Sequence, residues 1–431
     1  MRNFLILCVF FFAFAFSEAQ TIEKTYIFNE LSISKIDAYD VVNFNNTKLT
    51  GPAGEPALPY HSVSLLLPPG QIAESIEIIG EEKVDLKGSF NIYPQQHSRP
   101  LSEDASGKFA KKDKIYNSDN TYPLSLAGEL STEFMNGYSF ALSAFTPVQY
   151  NPASGKLSYF KKIIVKIKTK NNSEAVDALQ NISSTKNIIK RIKNLSQNPE
   201  ALIQYPDKGY DYETYQMLII TKAQFENSFQ DLIDLYIPRG ITTQIETVEN
   251  IYSSMPGQDN PEKIRNYIIQ EYQNSGIEHV MLGGDVEIVP YRGFYCTVAS
   301  SSTYEDDNIP ADLYYSALDG TWNDDGDNLW GEIGEDDLLP DISVARFSFS
   351  NTTELNSMMN KSVSYQSNPV LGELRQPLLA GEHLYGDPIT WGADYLELLI
   401  GYHEDNGYTT DGIPEDYDYI TMFARDQSWQ T

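Results

Sequence analysis

Two hydrophobic rhythms divide the chain. Up to about residue 170 the apolar positions fall in short runs rich in β-branched and aromatic residues. Examples are Lys24-Thr25-Tyr26-Ile27-Phe28, Ser75-Ile76-Glu77-Ile78-Ile79 and Ile163-Ile164-Val165-Lys166-Ile167. Asn151-Pro152-Ala153-Ser154-Gly155 reads as a turn between two longer runs, 139–150 and 156–169. This pattern predicts a small antiparallel β-sandwich over 20–170. From residue 216 the rhythm changes. Met217-Leu218-Ile219-Ile220-Thr221 reads as a buried strand, and Phe225, Phe229, Leu232, Ile233 and Tyr236 then recur at helical spacing up to Pro238-Arg239-Gly240. A second strand is predicted over 242–248. A helix follows that starts at Pro261 and carries Ile264, Tyr267, Ile268 and Tyr272 on one face, and a third strand starts at Val280. Strands alternating with helices of this length predict an α/β domain with a mostly parallel sheet over 206–431. Later strands are predicted near Leu378 and over 417–422, with a helix over 393–406 between them.

Between these halves, residues 171–205 read as a helical or loose polar linker with a basic cluster around Lys190-Arg191, which is either a stretch that a protease can cut or the solvated face of a helix. Residues 1–19 read as a secretory signal. An apolar run from Phe4 to Phe16 ends in Ser17-Glu18-Ala19, with cleavage expected after Ala19. The run is too short to span a bilayer, and no later segment reaches the needed length.

Charge sharpens the division. Of 60 acids, 40 lie from residue 201 onward, against 10 of the 31 Lys and Arg, so nearly all of the net charge of −29 sits in the second half. Such a surface repels phosphate, which argues against a nucleic-acid partner. With Cys8 in the signal, Cys296 is the one remaining cysteine, so no internal disulfide forms and bound calcium is one alternative source of rigidity.

The acids concentrate between Arg292 and Arg346, where 13 occur without a single base. The Val280 strand ends in Gly283-Gly284-Asp285, and an Asp-rich loop separates it from the run Ile342–Phe347. That order predicts ligand groups at the carboxyl edge of the sheet. Thr321, Asn323, Asp325, Gly326 and Glu332 fall on positions one, three, five, six and twelve of the EF-hand loop pattern. Asp319, Asn323, Asp325, Asp327 and Glu332 are therefore candidate calcium ligands, although the flanks read as strands rather than helices. An exposed acidic loop without a metal is the competing reading.

Several stretches together resemble the gingipain-type cysteine peptidases. They are Met217–Thr221, Ile237-Pro238-Arg239-Gly240, Ile264-Arg265-Asn266-Tyr267-Ile268, Val280–Asp285 with Ile288-Val289-Pro290, and Val344-Ala345-Arg346-Phe347-Ser348. Gly54-Glu55-Pro56-Ala57-Leu58-Pro59, Leu67-Pro68-Pro69-Gly70 and Pro147–Pro152 look like the propeptide of that family. The resemblance implies a secreted endopeptidase with a caspase-like α/β domain, masked by its propeptide and acting on protein or peptide substrates. It also implies a Cys nucleophile paired with a His base that sits in a His-Gly motif after an apolar strand. No such motif occurs at His61, His97, His279, His383 or His403, and Phe294-Tyr295-Cys296-Thr297-Val298 lacks a setting that activates a thiol. The reactive pair is thus expected beyond Thr431, with Cys296 a structural thiol. Asp394, at a predicted helix start, falls near where arginine-specific members place the carboxylate of the S1 pocket, and it is equally suited to capping that helix. Two other readings stay open: a non-catalytic, calcium-binding surface module on the same scaffold, and an intact enzyme that uses Cys296.

Overall fold

The computed structural model describes residues 20–97, 109–208, 215–299, 303–405 and 408–427, and the predicted signal at 1–19 lies outside them. The N-terminal half holds β1 (Thr21–Ile27), β2 (Leu31–Ile36), β3 (Tyr39–Phe44), β4 (Lys48–Thr50), β5 (Leu58–Leu66), β6 (Gln71–Asp85), a short helix α1 (Asp113–Tyr116), β7 (Ser131–Met135), β8 (Tyr138–Phe145), β9 (Val148–Asn151) and β10 (Lys156–Asn171). One antiparallel sheet runs β1-β10-β6 with β9 also on β10, and another runs β4-β5-β8-β7. Strand β10 shows why they meet. Ile163, Val165 and Ile167 point inward and are buried with Leu58, Val63, Leu65 and Phe145 of the other sheet. Lys162 and Lys166 alternate with them outward and pair with Glu81 and Glu23 on neighbouring strands. Period two thus separates core from solvent.

Residues 171–205, read from sequence as a linker, pack instead. Helix α2 (Ser173–Ala178) is capped by Asn172, and α3 (Lys186–Leu195) by Thr185. Ile188 and Ile192, four apart on one face of α3, are buried with Leu66, Met135, Tyr138, Phe140 and Tyr205. The basic residues Lys186, Lys190 and Lys193 occupy the outer face. The basic cluster is thus the solvated face of an amphipathic helix, one of the two readings the sequence left open.

In the second half, β11 (Met217–Thr221), α4 (Gln230–Tyr236), β12 (Thr243–Thr247), α5 (Val248–Ser254), α6 (Asn260–Ser275), β13 (His279–Gly283), the hairpin β14 (Arg292–Ala299) and β15 (Thr303–Ala311), β16 (Ser343–Phe347) and α7 (Thr352–Ser367) follow one another. The sheet is parallel throughout, in the order β12-β11-β13-β16. Every residue of β11 is buried, as expected of a strand covered on both faces. Helix α6 starts on Asp259 as cap with Pro261 in its first turn and stops at Gly276, which is left-handed. Strand order reverses beside β11, so the carboxyl ends of β11 and β13 flank the switch point.

Beyond α7, β17 (Leu378–Gly381) pairs in parallel with β22 (Ile420–Phe423), apart from the main sheet. Between them lie the hairpin β18 (His383–Gly386) and β19 (Ile389–Trp391), the helix α8 (Gly392–Leu396), and the hairpin β20 (Tyr402–Asp405) and β21 (Tyr408–Asp411). This corrects the helix expected over 393–406. The helix stops after five residues and one 3-10 turn, because Gly401 is left-handed and Ile400 bridges to Ile413. His403 consequently lies on a strand.

Candidate functional site

At the switch point Thr221 Oγ1 donates to the Gly283 carbonyl at 2.6 Å. The turn then needs glycine at 284, where φ is +141° and a Cβ would come within 2.3 Å of the Ile288 side chain. Arg346, from β16, fixes this turn. Its guanidinium donates to the carbonyls of Gly284 at 3.0 Å and Val289 at 2.5 Å, and it forks onto Asp312 at 2.6 and 2.8 Å. Ser350 donates to Asp285 beside it. The result is a rigid carboxyl edge that carries a half-buried carboxylate, Asp285, hydrogen-bonded by Ser350 and the Glu287 amide.

No thiol–imidazole pair stands there among the described residues. Cys296 is exposed on the β14–β15 hairpin, opposite Asp306. His279 begins β13 at the amino edge, His383 lies against Trp391 with ring centroids 4.6 Å apart, and His403 contacts the carbonyl of Ile400. Asp394 sits in the first turn of α8 and grips the Arg425 guanidinium, which also bonds to Glu397 at 2.6 Å. The carboxylate singled out from sequence therefore holds an arginine, one supplied by this same chain.

The acidic segment does not end where the sequence order suggested. After the hairpin the chain returns to the amino edge, as a parallel sheet requires before β16 can start. Ser343, the first residue of β16, pairs with His279, and its amide donates to the Glu278 carbonyl at 3.0 Å. Trp322 anchors the returning loop. It is buried, stacked on Phe294 at 4.5 Å, and its carbonyl accepts from Gly331. The loop gathers Asp325, Asp327 and Glu332, each with a carboxylate oxygen within 4.8 Å of the others. Burial and then Asp327, Asp325 and Glu335 raise the Glu332 carboxyl above its ordinary range. Asn323 Oδ1 and Glu335 Oε2 are buried in the same segment without a hydrogen-bond partner.

Asp319 leaves that set and joins another. Asp319, Asp337 and Asp341 also converge within 4.8 Å. Burial, reinforced by mutual repulsion, pushes Asp337 up to about 8 and Asp341 up to about 7, and holds Asp319 well above the carboxylate range. Arg265, buried within α6, is the cation beside them, yet it spends its donors on the carbonyls of Tyr314, Ala317, Asp319 and Gly320 at 2.9 to 3.2 Å. One guanidinium cannot neutralise three carboxylates, so the trio holds protons or a further cation.

The N-terminal half reaches into this trio. The β7–β8 hairpin turns on Asn136-Gly137, with φ of +52° and +80°, the signature of a two-residue type I′ loop. Its tip enters the other half. The Asn136 amide donates to Asp341 Oδ1, and its Nδ2 donates to Tyr272 Oη and the Asp341 carbonyl, each at 2.8 Å. Asn181 donates to Asp319 Oδ1 at 2.9 Å, and Arg191 to the carbonyls of Pro340 and Asp341 at 2.8 and 3.1 Å. The hairpin was not among the sequence expectations; Asn136-Gly137 between two apolar runs is the signal that could have found it, and no local signal gives what its tip touches.

Family models match along this chain in order: the C25 propeptide over residues 23–197 and peptidase family C25 over residues 210–430. Gingipain R2 of Porphyromonas gingivalis strain W83 is 24% identical over 323 residues, which is 73% of this chain and 38% of that protein. Gingipain R1 of the same species is 21% identical over 321 residues, covering 73% of this chain and 28% of that one. The chain therefore spans well under half the length of these relatives. Among solved structures, the complex of the Porphyromonas gingivalis RgpB pro- and mature domains is similar at a TM-score of 0.34 and 19% identity, covering 42% of this chain and 93% of that chain. Among the described residues no helix is long and apolar enough to cross a membrane. With both models co-linear and the second covering residues 210–430, the chain belongs to peptidase family C25.

Proposed function

We propose that this protein is a secreted cysteine-type endopeptidase of the gingipain kind. In this reading residues 1–19 direct export, 20–205 form a sandwich-like propeptide, and 206–431 form the front of a caspase-like peptidase domain. The observation that carries it is the succession of propeptide and peptidase segments on one chain, clamped together through Asn136, Asn181 and Arg191. These contacts fall on the amino edge, so the propeptide restrains the peptidase half from the side away from the switch point.

Asp394 is assigned to hold a substrate guanidinium, a role its grip on Arg425 supports. Cys296 is not assigned as nucleophile, since it is exposed on a hairpin without a histidine hydrogen-bonded to it. The test is to treat the secreted full-length protein with a thiol-directed peptidase label and map the modified residue. Loss of peptide cleavage on treatment, with Cys296 left unmodified, is expected. Cleavage that survives the label, absence of cleavage before treatment, or labelling of Cys296 overturns the assignment.

Calcium is the cation proposed for the loop at Asp325, Asp327 and Glu332, whose three convergent carboxylates otherwise repel; Asn323, with an unpartnered Oδ1, lies in the same segment. The ion would supply rigidity there. Calcium should raise the melting temperature, and Asp325→Asn/Asp327→Asn should abolish that rise; equal shifts in both proteins remove the loop site.

A further inference from the structure

A cavity of 530 Å³ opens between the two halves. Glu174 and Asp177 of α2 line one side, Asp319 and Asp324 line the other, and Phe134 and Ile269 provide apolar wall. No Lys, Arg or His is among its described lining residues. Carboxylates from two halves thus face each other with no counter-charge among the described lining residues, an arrangement that costs free energy wherever water is partly excluded. Asp319 is 6% exposed, and its Oδ2 has no partner, while Asn181 occupies Oδ1. Burial, then the charges of Asp324 and Glu133, raise the Glu174 carboxyl. The cavity is independent of the switch point and of the Asp394 contact.

We infer that this cavity is a binding site for a basic peptide segment, its Lys or Arg side chains bridging the carboxylates of the two halves. Size and shape select that occupant. The volume falls among small-ligand clefts, about 300–1,000 Å³. The described carboxylates that converge within 4.8 Å are the Asp319/Asp337/Asp341 and Asp325/Asp327/Glu332 trios, so the four that line the cavity are spread too widely for a bare metal ion. Spread charges suit several cationic heads on one chain, and the apolar walls suit the methylene stems behind them. Because α2 and the 318–324 segment each supply part of the site, an occupant ties the halves together.

Fluorescence anisotropy tests this with labelled tri-arginine amide, in chelator, against the purified chain. Saturable binding that weakens with salt is expected, with none for a tri-glutamate amide. Glu174→Gln/Asp177→Asn changes only residues on a surface helix, so folding is not at stake. It should weaken binding about tenfold, the equivalent of roughly 1.4 kcal/mol. Asp231→Asn, on α4, should leave it unchanged. A linear triamine is run alongside. Binding of the triamine but not of the peptide overturns the peptide assignment, and unchanged peptide binding by the Glu174/Asp177 variant overturns the site. The assay reads binding and not turnover, so it is decided separately from the peptidase reading.

Discussion

The contact between the halves is most sharply tested by Asn136→Asp. The substitution keeps the shape of the side chain and tolerates the left-handed backbone at φ +52°. It removes the donor to the Asp341 carbonyl, held at 2.8 Å, and brings a fourth carboxyl to a buried trio that is already short of cations. Two smaller effects compete. Asn136 Oδ1 lacks a partner in the native state, so replacing the amide gives up no acceptor bond. Tyr272 can reverse its hydroxyl and donate to the new carboxylate, recovering about 1 kcal/mol. Against these, an uncompensated buried charge costs about 3–5 kcal/mol, so net destabilisation of about 3 kcal/mol is expected at neutral pH. The four tryptophans lie at 322, 330, 391 and 429, so their fluorescence during urea unfolding reports the C-terminal half alone. Loss of stability in that signal from a substitution more than 180 residues upstream of the first tryptophan measures the coupling of the halves. The deficit should shrink toward pH 5 as the new carboxyl takes up a proton. A midpoint within about 0.5 kcal/mol of wild type at neutral pH is the size of an ordinary surface change and would refute the reasoning.

Further outcomes follow from the same site. Asp337 and Asp341, raised to about 8 and about 7, keep protons in the folded state that unfolded carboxyls release near pH 4. Stability in chelator should therefore fall as the pH rises from about 4 to about 8 and level off above, by about 1.4 kcal/mol per pH unit for each proton held; urea midpoints that rise across that window contradict the buried trio. Arg265→Met strips the donor from four carbonyls and the cation from the trio, and should cost at least about 3–5 kcal/mol by urea unfolding. Arg265→Lys should rescue little of it, since one ammonium lacks the fork that reaches all four. Arg425→Ala frees Asp394, so calorimetric titration should detect an arginine amide with that variant and not with Arg425→Ala/Asp394→Asn; equal heats from both would dismiss Asp394 as a guanidinium site.

Much of the local structure could be read without coordinates because it depends on near neighbours. The alternation Ile163, Val165, Ile167 against Lys162, Lys166 fixes which face of β10 is inward. Asp259, Pro261 and Gly276 bound α6. Prediction failed where a local pattern had two solutions. The apolar residues after Ala393 suit a helix or a hairpin, and Gly401 with the Ile400–Ile413 bridge chose the hairpin. For the basic run at 186–193 the sequence left a loose linker and a solvated helix face both open, and burial of Ile188 and Ile192 chose the helix.

The sequence alone therefore determined many of the elements up to β13, the change from a β-rich to an α/β pattern, and the gathering of acids between Arg292 and Arg346. Tertiary structure decided how those acids divide. Asp319 parts from Asp325, Asp327 and Glu332 and meets Asp337 and Asp341, because the chain must travel back to the amino edge before β16 can pair with β13. It also decided that Asn136, 205 residues from Asp341, touches it. Side-chain periodicity reports the face of an element on which a residue lies; the path of the backbone between elements sets what that face meets, and the path is fixed by burial summed over the whole chain.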